Sequence, residues 1–264
     1  MFLMRETPPP QSKRRFCKGL VPGPLFLSAL HSPSTNVTPS SVAPSSLSWV
    51  IMASSSTWLH RVIEAMGQIE RDSAGQITTE SYMRVSEQIP DIYDLLFPSL
   101  VASPMKSACV DGVATVREAM ASIPGGKGAT LLGMVQHQVA ETGAEALGVP
   151  GVRSGTKSLL WLNRECTYIC MLLRLMSMGM EPSQAASQAY DAVLRPYHTF
   201  MVRTTVGNAV SLAPARDKLL ALLNLGSEQE AIAQITALCE LGEPLVEEVK
   251  KLLQANSAHF EGTP

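Results

Sequence analysis

Several ingredients of common protein classes are scarce in this chain. Aromatic residues make up 5% of the 264 residues, and the five cysteines are an odd, thinly spread set. A disulfide scaffold is therefore not expected. No uninterrupted apolar run approaches the ~18 residues that a bilayer-spanning helix needs, so no transmembrane helix is expected. Basic charge is short as well: 21 Lys and Arg stand against 23 Asp and Glu. From residue 52 onward the balance is sixteen against twenty-two, which argues against nucleic acid as a partner, because phosphate contact needs a basic footprint. The composition predicts a soluble intracellular protein.

The first 51 residues differ from the rest. They carry five basic residues (Arg5, Lys13, Arg14, Arg15, Lys18) and one acid (Glu6), with Pro8, Pro9 and Pro10 in a row and a Ser/Pro/Thr stretch from Ser32 to Ser48. Such a segment buries too little apolar surface to offset chain entropy and is expected to be disordered. Basic, serine-rich and acid-poor is also the composition of an organelle transit peptide. The alternative is a non-native extension, with the chain beginning at Met52-Ala53-Ser54. Residues 1–51 are accordingly one unit, and 52–264 the folded domain, expected in the cytoplasm, or in a plastid or mitochondrion if the leader is a transit peptide.

From Trp58 onward apolar residues recur at three and four, and strand-length alternation is rare, which predicts an all-α domain. Helices are expected at about 57–71, 78–97 with a break near Pro90, 104–122, 128–147, 155–180, 182–196, 199–212, 214–224, 228–240 and 243–255. Pro98 with Pro104, Pro124-Gly125-Gly126, the stretch Gly148 to Gly155, and Gly242 with Pro244 are read as breaks. Thr78-Thr79-Glu80 forms an N-cap with an acid in the first turn. No fixed-period repeat points to a solenoid.

Catalytic motifs find little support. Gly151-Val-Arg-Ser-Gly155-Thr-Lys157-Ser158 resembles a phosphate loop in outline, yet Thr156 separates the Gly from the Lys and no strand precedes it. Cys166 and Cys170 lie four apart on one helix without a second ligand pair, and read as small buried residues. The histidines (His31, His60, His137, His198, His259) form no close pair, and no serine sits in a nucleophile elbow.

Three segments carry more information. Lys157, Trp161 and Arg164 fall at i, i+4 and i+7, one helical face on which cations flank an indole. That surface suits a sugar headgroup, although a core tryptophan with solvated cations has the same spacing. Asp111 and Thr115, at i and i+4, sit among apolar neighbours, where a carboxylate needs hydrogen bonds or the surface. His198 follows Pro196 at the entrance of another helix; it points into a shared site or is a capping or core residue.

Taken together, these segments resemble the glycolipid transfer protein superfamily. The resemblance rests on Gly155-Thr-Lys157, Leu-Leu-Trp161-Leu-x-Arg164, Asp111-x-Val-Ala-Thr115-Val, and Tyr190 followed by Tyr197-His198-x-Phe200-x-Val-Arg203 and Arg216. It spans about Trp58 to Leu253. It implies a two-layer, all-helical sandwich with an apolar pocket for lipid chains, and non-enzymatic, cofactor-free and metal-free transfer of a sphingolipid, glycosylceramide first, between membranes. By that resemblance Asp111 accepts hydrogen bonds from the sphingoid amide and headgroup, His198 donates to the acyl carbonyl, Trp161 stacks beneath the first sugar, and Lys157 adds a polar contact. Thr115 stands where the glycolipid branch has Asn and the phosphate branch Lys. Phe200 stands where the family often has a membrane-touching Trp. A monomer making transient contact with the membrane surface is implied. A register shift would instead place Ala108 and Gly112 at the positions of Asp111 and Thr115. Ceramide-1-phosphate transfer, or a lipid sensor or helical interaction module on the same fold, remain alternatives.

Overall fold

A computed structural model describes residues 57–223 and 226–261. The N-terminal unit expected for 1–51 lies outside the described residues. Eleven α-helices and two 3-10 turns make up the described part, with two isolated β-bridges, Arg71 to Ile77 and Thr78 to Thr130. The helices form a two-layer, all-helical sandwich. In order they are α1 (Trp58–Gly67), α2 (Thr79–Ser86), α3 (Pro90–Leu96), α4 (Ser99–Ser122), α5 (Leu131–Thr142), α6 (Ala144–Gly148), α7 (Gly155–Ser177), α8 (Pro182–Val193), α9 (Phe200–Val210), α10 (Arg216–Leu222) and α11 (Glu228–Ala255). Among the described residues no helix is long and apolar enough to cross a membrane.

α7 organises the fold. Its Ser154 cap accepts from the Lys157 amide at 3.1 Å, and most of its residues are buried, as in a central helix covered on most of its faces. It packs most extensively against α11, then against α4 and α8. Asn163 ties α2 and α11 together: it accepts from the Tyr82 hydroxyl at 2.7 Å and donates to the Val246 carbonyl at 3.1 Å. Close approach to α4 depends on glycines. A Cβ at Gly155 would lie 2.5 Å from Ala119 Cβ, and one at Gly112 would lie 3.3 Å from Leu162 Cδ2. This crossing sets Asp111 and Thr115 opposite Lys157 and Trp161.

Several expected breaks fall elsewhere. The break near Pro90 is present, between α2 and α3, and Pro124 opens a 3-10 turn in which Gly125 and Gly126 have φ of 68° and 70°. The helix expected at 128–147 is divided at Gly143, whose φ is 85°. Pro104, by contrast, lies inside α4, which begins at Ser99 and not at 104. The carbonyl it leaves without an N–H belongs to Leu100, in the exposed first turn where water can serve instead. Likewise Gly242 and Pro244 do not divide the last helix: α11 runs unbroken from 228 to 255. At Gly242 it packs closely: a Cβ there would lie 2.7 Å from Cys170 Sγ and 3.1 Å from Met66 Cε. Cys166 and Cys170 are buried as expected, and the described residues contain no cluster of three or more His, Cys, Asp or Glu placed to hold a metal.

Candidate functional site

Between α4, α7 and α9 lies a mostly apolar, partly enclosed cavity of about 750 Å³, a size ordinary for ligand sites. Asp111, Thr115, Lys157, Trp161 and His198 all line it. Residues separated by up to 87 positions, from Asp111 to His198, therefore converge on one wall and rim. Leu100, Val101, Met105, Leu162 and Val206 supply apolar lining. Phe200 does not line the cavity; it stands beside it, 82% exposed, next to Met201, which does line it and is 79% exposed. Leu100, at 89%, completes an uncovered apolar rim. Ala108 and Gly112 also line the cavity, so the register that uses Asp111 already brings a carboxylate to it.

Trp161 is held by rings. Its indole stacks on the His198 imidazole, with centroids 5.6 Å apart and planes 8° from parallel, and meets Tyr197 edge-on at 6.5 Å. Its Nε1 is buried with no hydrogen-bond partner among the described residues. His198 is placed by the 3-10 turn Arg195–Tyr197 and by Arg203, which donates to the His198 carbonyl at 2.8 Å and to that of Pro196 at 3.2 Å. The Tyr190 hydroxyl lies 3.1 Å from His198 Nδ1. Burial, then Arg164 and Arg203, push the His198 pKa down to about 4, so the ring is neutral near pH 7. Lys157 Nζ donates to the Val149 carbonyl at 3.0 Å, and burial lowers its pKa.

The face expected to carry Lys157, Trp161 and Arg164 is rotated. The cavity takes Lys157, Ser158, Trp161, Leu162 and Glu165, while Arg164 turns into the protein. Its guanidinium lies 3.5 Å from the Tyr197 ring centroid and 4.9 Å from that of Trp161, and it donates to the Phe260 carbonyl. Arg164 thus braces the aromatic cluster from behind. Its Nε and Nη1 have no partner among the described residues, and burial lowers its pKa to about 10.

Two lining residues escaped the sequence reading. Arg153 donates from Nε to Thr115 Oγ1 at 2.9 Å and pairs with Glu118 at 3.2 Å. Thr115 in turn donates to the Asp111 carbonyl at 2.7 Å, so its hydroxyl is already engaged. No spacing rule reaches Arg153, which sits in the loop before α7. Glu165 was legible: it stands at i+4 from Trp161, closer to that face than Arg164 at i+3. Its carboxylate accepts from the Tyr93 hydroxyl, and burial raises its pKa to about 7.

An all-helical sandwich that opens an apolar cavity beneath a rim of polar and aromatic side chains is the architecture of a lipid transfer protein. The family model described as Glycolipid transfer protein (GLTP) matches residues 77–225, and the chain belongs to that family. It is similar to Glycolipid transfer protein B of Xenopus laevis, 29% identical over 171 residues that cover 61% of this chain and 78% of the relative. It is also similar to Ceramide-1-phosphate transfer protein of Rattus norvegicus, 32% identical over 106 residues, 38% of this chain and 46% of the relative. The crystal structure of mouse Ceramide-1-phosphate transfer protein in its apo-form shares the fold, with a TM-score of 0.67 at 21% identity over 77% of this chain and 98% of that one.

Proposed function

We propose that the chain binds a sphingolipid and moves it between membranes without chemical conversion or cofactor, with a glycosylceramide as its preferred cargo. The observation that carries this reading is the convergence of Asp111, Lys157, Trp161 and His198 on one mostly apolar cavity. Each buried CH₂ of a lipid chain contributes about 0.8 kcal/mol, enough to draw a chain out of water once a membrane has delivered it. The exposed rim of Leu100, Phe200 and Met201 is suited to transient membrane contact by a monomer.

A sugar headgroup is favoured by Trp161, whose ring can stack on a pyranose but cannot neutralise a phosphate. His198 is neutral, and in the tautomer whose Nδ1 accepts from the Tyr190 hydroxyl its Nε2–H is the donor an acyl carbonyl needs. Asp111 is exposed at the cavity, and its carboxylate has no hydrogen-bond partner among the described residues, so both oxygens are available to an amide or to sugar hydroxyls.

Ceramide-1-phosphate is the second reading, favoured by Lys157, whose ammonium is bound to a carbonyl and not to a carboxylate, with Arg153 nearby on the same cavity. Vesicle-to-vesicle transfer of fluorescent glucosylceramide, galactosylceramide and ceramide-1-phosphate separates the two. The glycosylceramides are expected to move fastest, and Trp161→Ala to slow them at least tenfold. Dominant ceramide-1-phosphate transfer that survives Trp161→Ala would establish the second reading instead.

A further inference from the structure

Glu165 is a carboxyl group in a place where a lipid chain should meet only hydrocarbon. It lies on α7 four residues after Trp161, about 6 Å further along the helix axis. The same cavity is lined by the apolar side chains of Leu100, Val101, Met105 and Leu162 and by Cys109. The Tyr93 hydroxyl donates to Oε2, whereas Oε1 has no hydrogen-bond partner among the described residues. Glu165 lies deep in the protein yet is not fully covered, and the surface it leaves open belongs to the cavity wall. The neighbouring Tyr168 hydroxyl is buried without a partner among the described residues, and Cys109 presents only a weakly polar thiol.

A polar group left in an apolar wall costs free energy unless something answers it. Solvation is an answer only while the cavity is empty of lipid; once a chain enters, Oε1 needs a partner on the chain. An ammonium would be one, but taking a cation out of water into this wall is expensive, and the cavity's other carboxylate, Asp111, is the one given above to the amide and sugar hydroxyls. An alcohol suits it better. A carboxyl group can accept from a hydroxyl when ionised, and can both donate and accept when protonated.

We propose that Glu165, positioned by Tyr93, recognises a hydroxyl on the lipid chain within a few carbons of the amide, so that the protein selects hydroxylated sphingolipids. This rests on the carrier reading above and adds a chain specificity to its headgroup specificity. Two positions offer that chemistry: the 2-hydroxyl of a hydroxy fatty acyl chain, and the 4-hydroxyl of a hydroxylated sphingoid base.

The test uses the full chain and matched glucosylceramides in phosphatidylcholine vesicles. One arm carries a 2-hydroxystearoyl chain, a second a stearoyl chain on 4-hydroxysphinganine, and a third neither hydroxyl; a fourth is the free-amine lyso form. One of the first two is expected to transfer about five- to tenfold faster than the third, the value of one net hydrogen bond, and which one does so identifies the hydroxyl. Glu165→Leu is expected to bring that ratio to about one. Should that variant fail to fold, Glu165→Gln, which can still accept from Tyr93, is expected to shrink the ratio. Equal transfer of hydroxylated and plain lipids, a ratio unchanged in both variants, or preference for the lyso form would overturn the proposal while leaving the carrier intact. No transfer in any arm would instead defeat the carrier reading.

Discussion

At His198, burial and the nearby Arg164 and Arg203 hold the imidazole pKa down to about 4 from an ordinary 6.5. Between those values the unfolded chain binds more protons than the folded one, so this group's contribution is complete above about pH 6.5 and is lost as pH falls toward 4. Urea unfolding across that window should show wild-type stability dropping with acid, and His198→Gln should drop less. The same residue illustrates what the sequence discloses. Its place after Pro196 was readable as a helix entrance, but its stacking on Trp161 was not, because the two are 37 positions apart. Lys157 and Trp161 were readable from a four-residue spacing on one helix. Arg164 was misplaced because periodicity locates a face and not its edges. What turns Arg164 inward is the Tyr197 ring and the Phe260 carbonyl, partners supplied by distant segments.

Among the helices, the crossing of α4 and α7 decides whether a cavity exists at all. Gly155 stands where the two come closest to α5 as well, with Ala119 Cβ at 2.5 Å and Met134 Sδ at 3.0 Å from a hypothetical Cβ. Gly155→Val should therefore wedge α7 away from α4, costing about 1–3 kcal/mol, read as a lower urea midpoint. Gly67, at the end of α1 with open space around it, provides the contrast: Gly67→Ala should leave the urea midpoint unchanged or raise it, with stability increased by up to about 1 kcal/mol. Helix existence was legible throughout, because the three-and-four spacing of apolar residues reports a buried face directly. The misreadings cluster at proline. Pro104 and Pro244 look like terminators, yet both lie within helices, since an interior proline is tolerated when packing outweighs one missing hydrogen bond. Tertiary contact of that kind, such as Gly242 against Cys170, leaves no local mark in the chain.

For the molecule as a whole, residues 52–264 are acidic in balance, and two of their cations, Arg153 and Lys157, stand at the cavity, while many of the others are held in ion pairs such as Arg71 with Glu248 and Arg174 with Glu243. Glu165 adds an exchange with the surrounding solution. With its pKa raised to about 7 by burial, this carboxyl is divided between its two forms in the empty protein near neutrality. Where a lipid chain entering the cavity displaces solvent from it, the ionised form is disfavoured further; loading is then expected to draw protons from the buffer, and lipid to bind more tightly as pH falls through about 7. Titration calorimetry with a short-chain glucosylceramide at about pH 7.5 should therefore give different heats in phosphate and in Tris. Glu165→Gln should erase the difference. On that outcome a carrier would take up a proton with its cargo and return it on delivery, and the acidity of the donor and acceptor surfaces would enter the driving force for transfer.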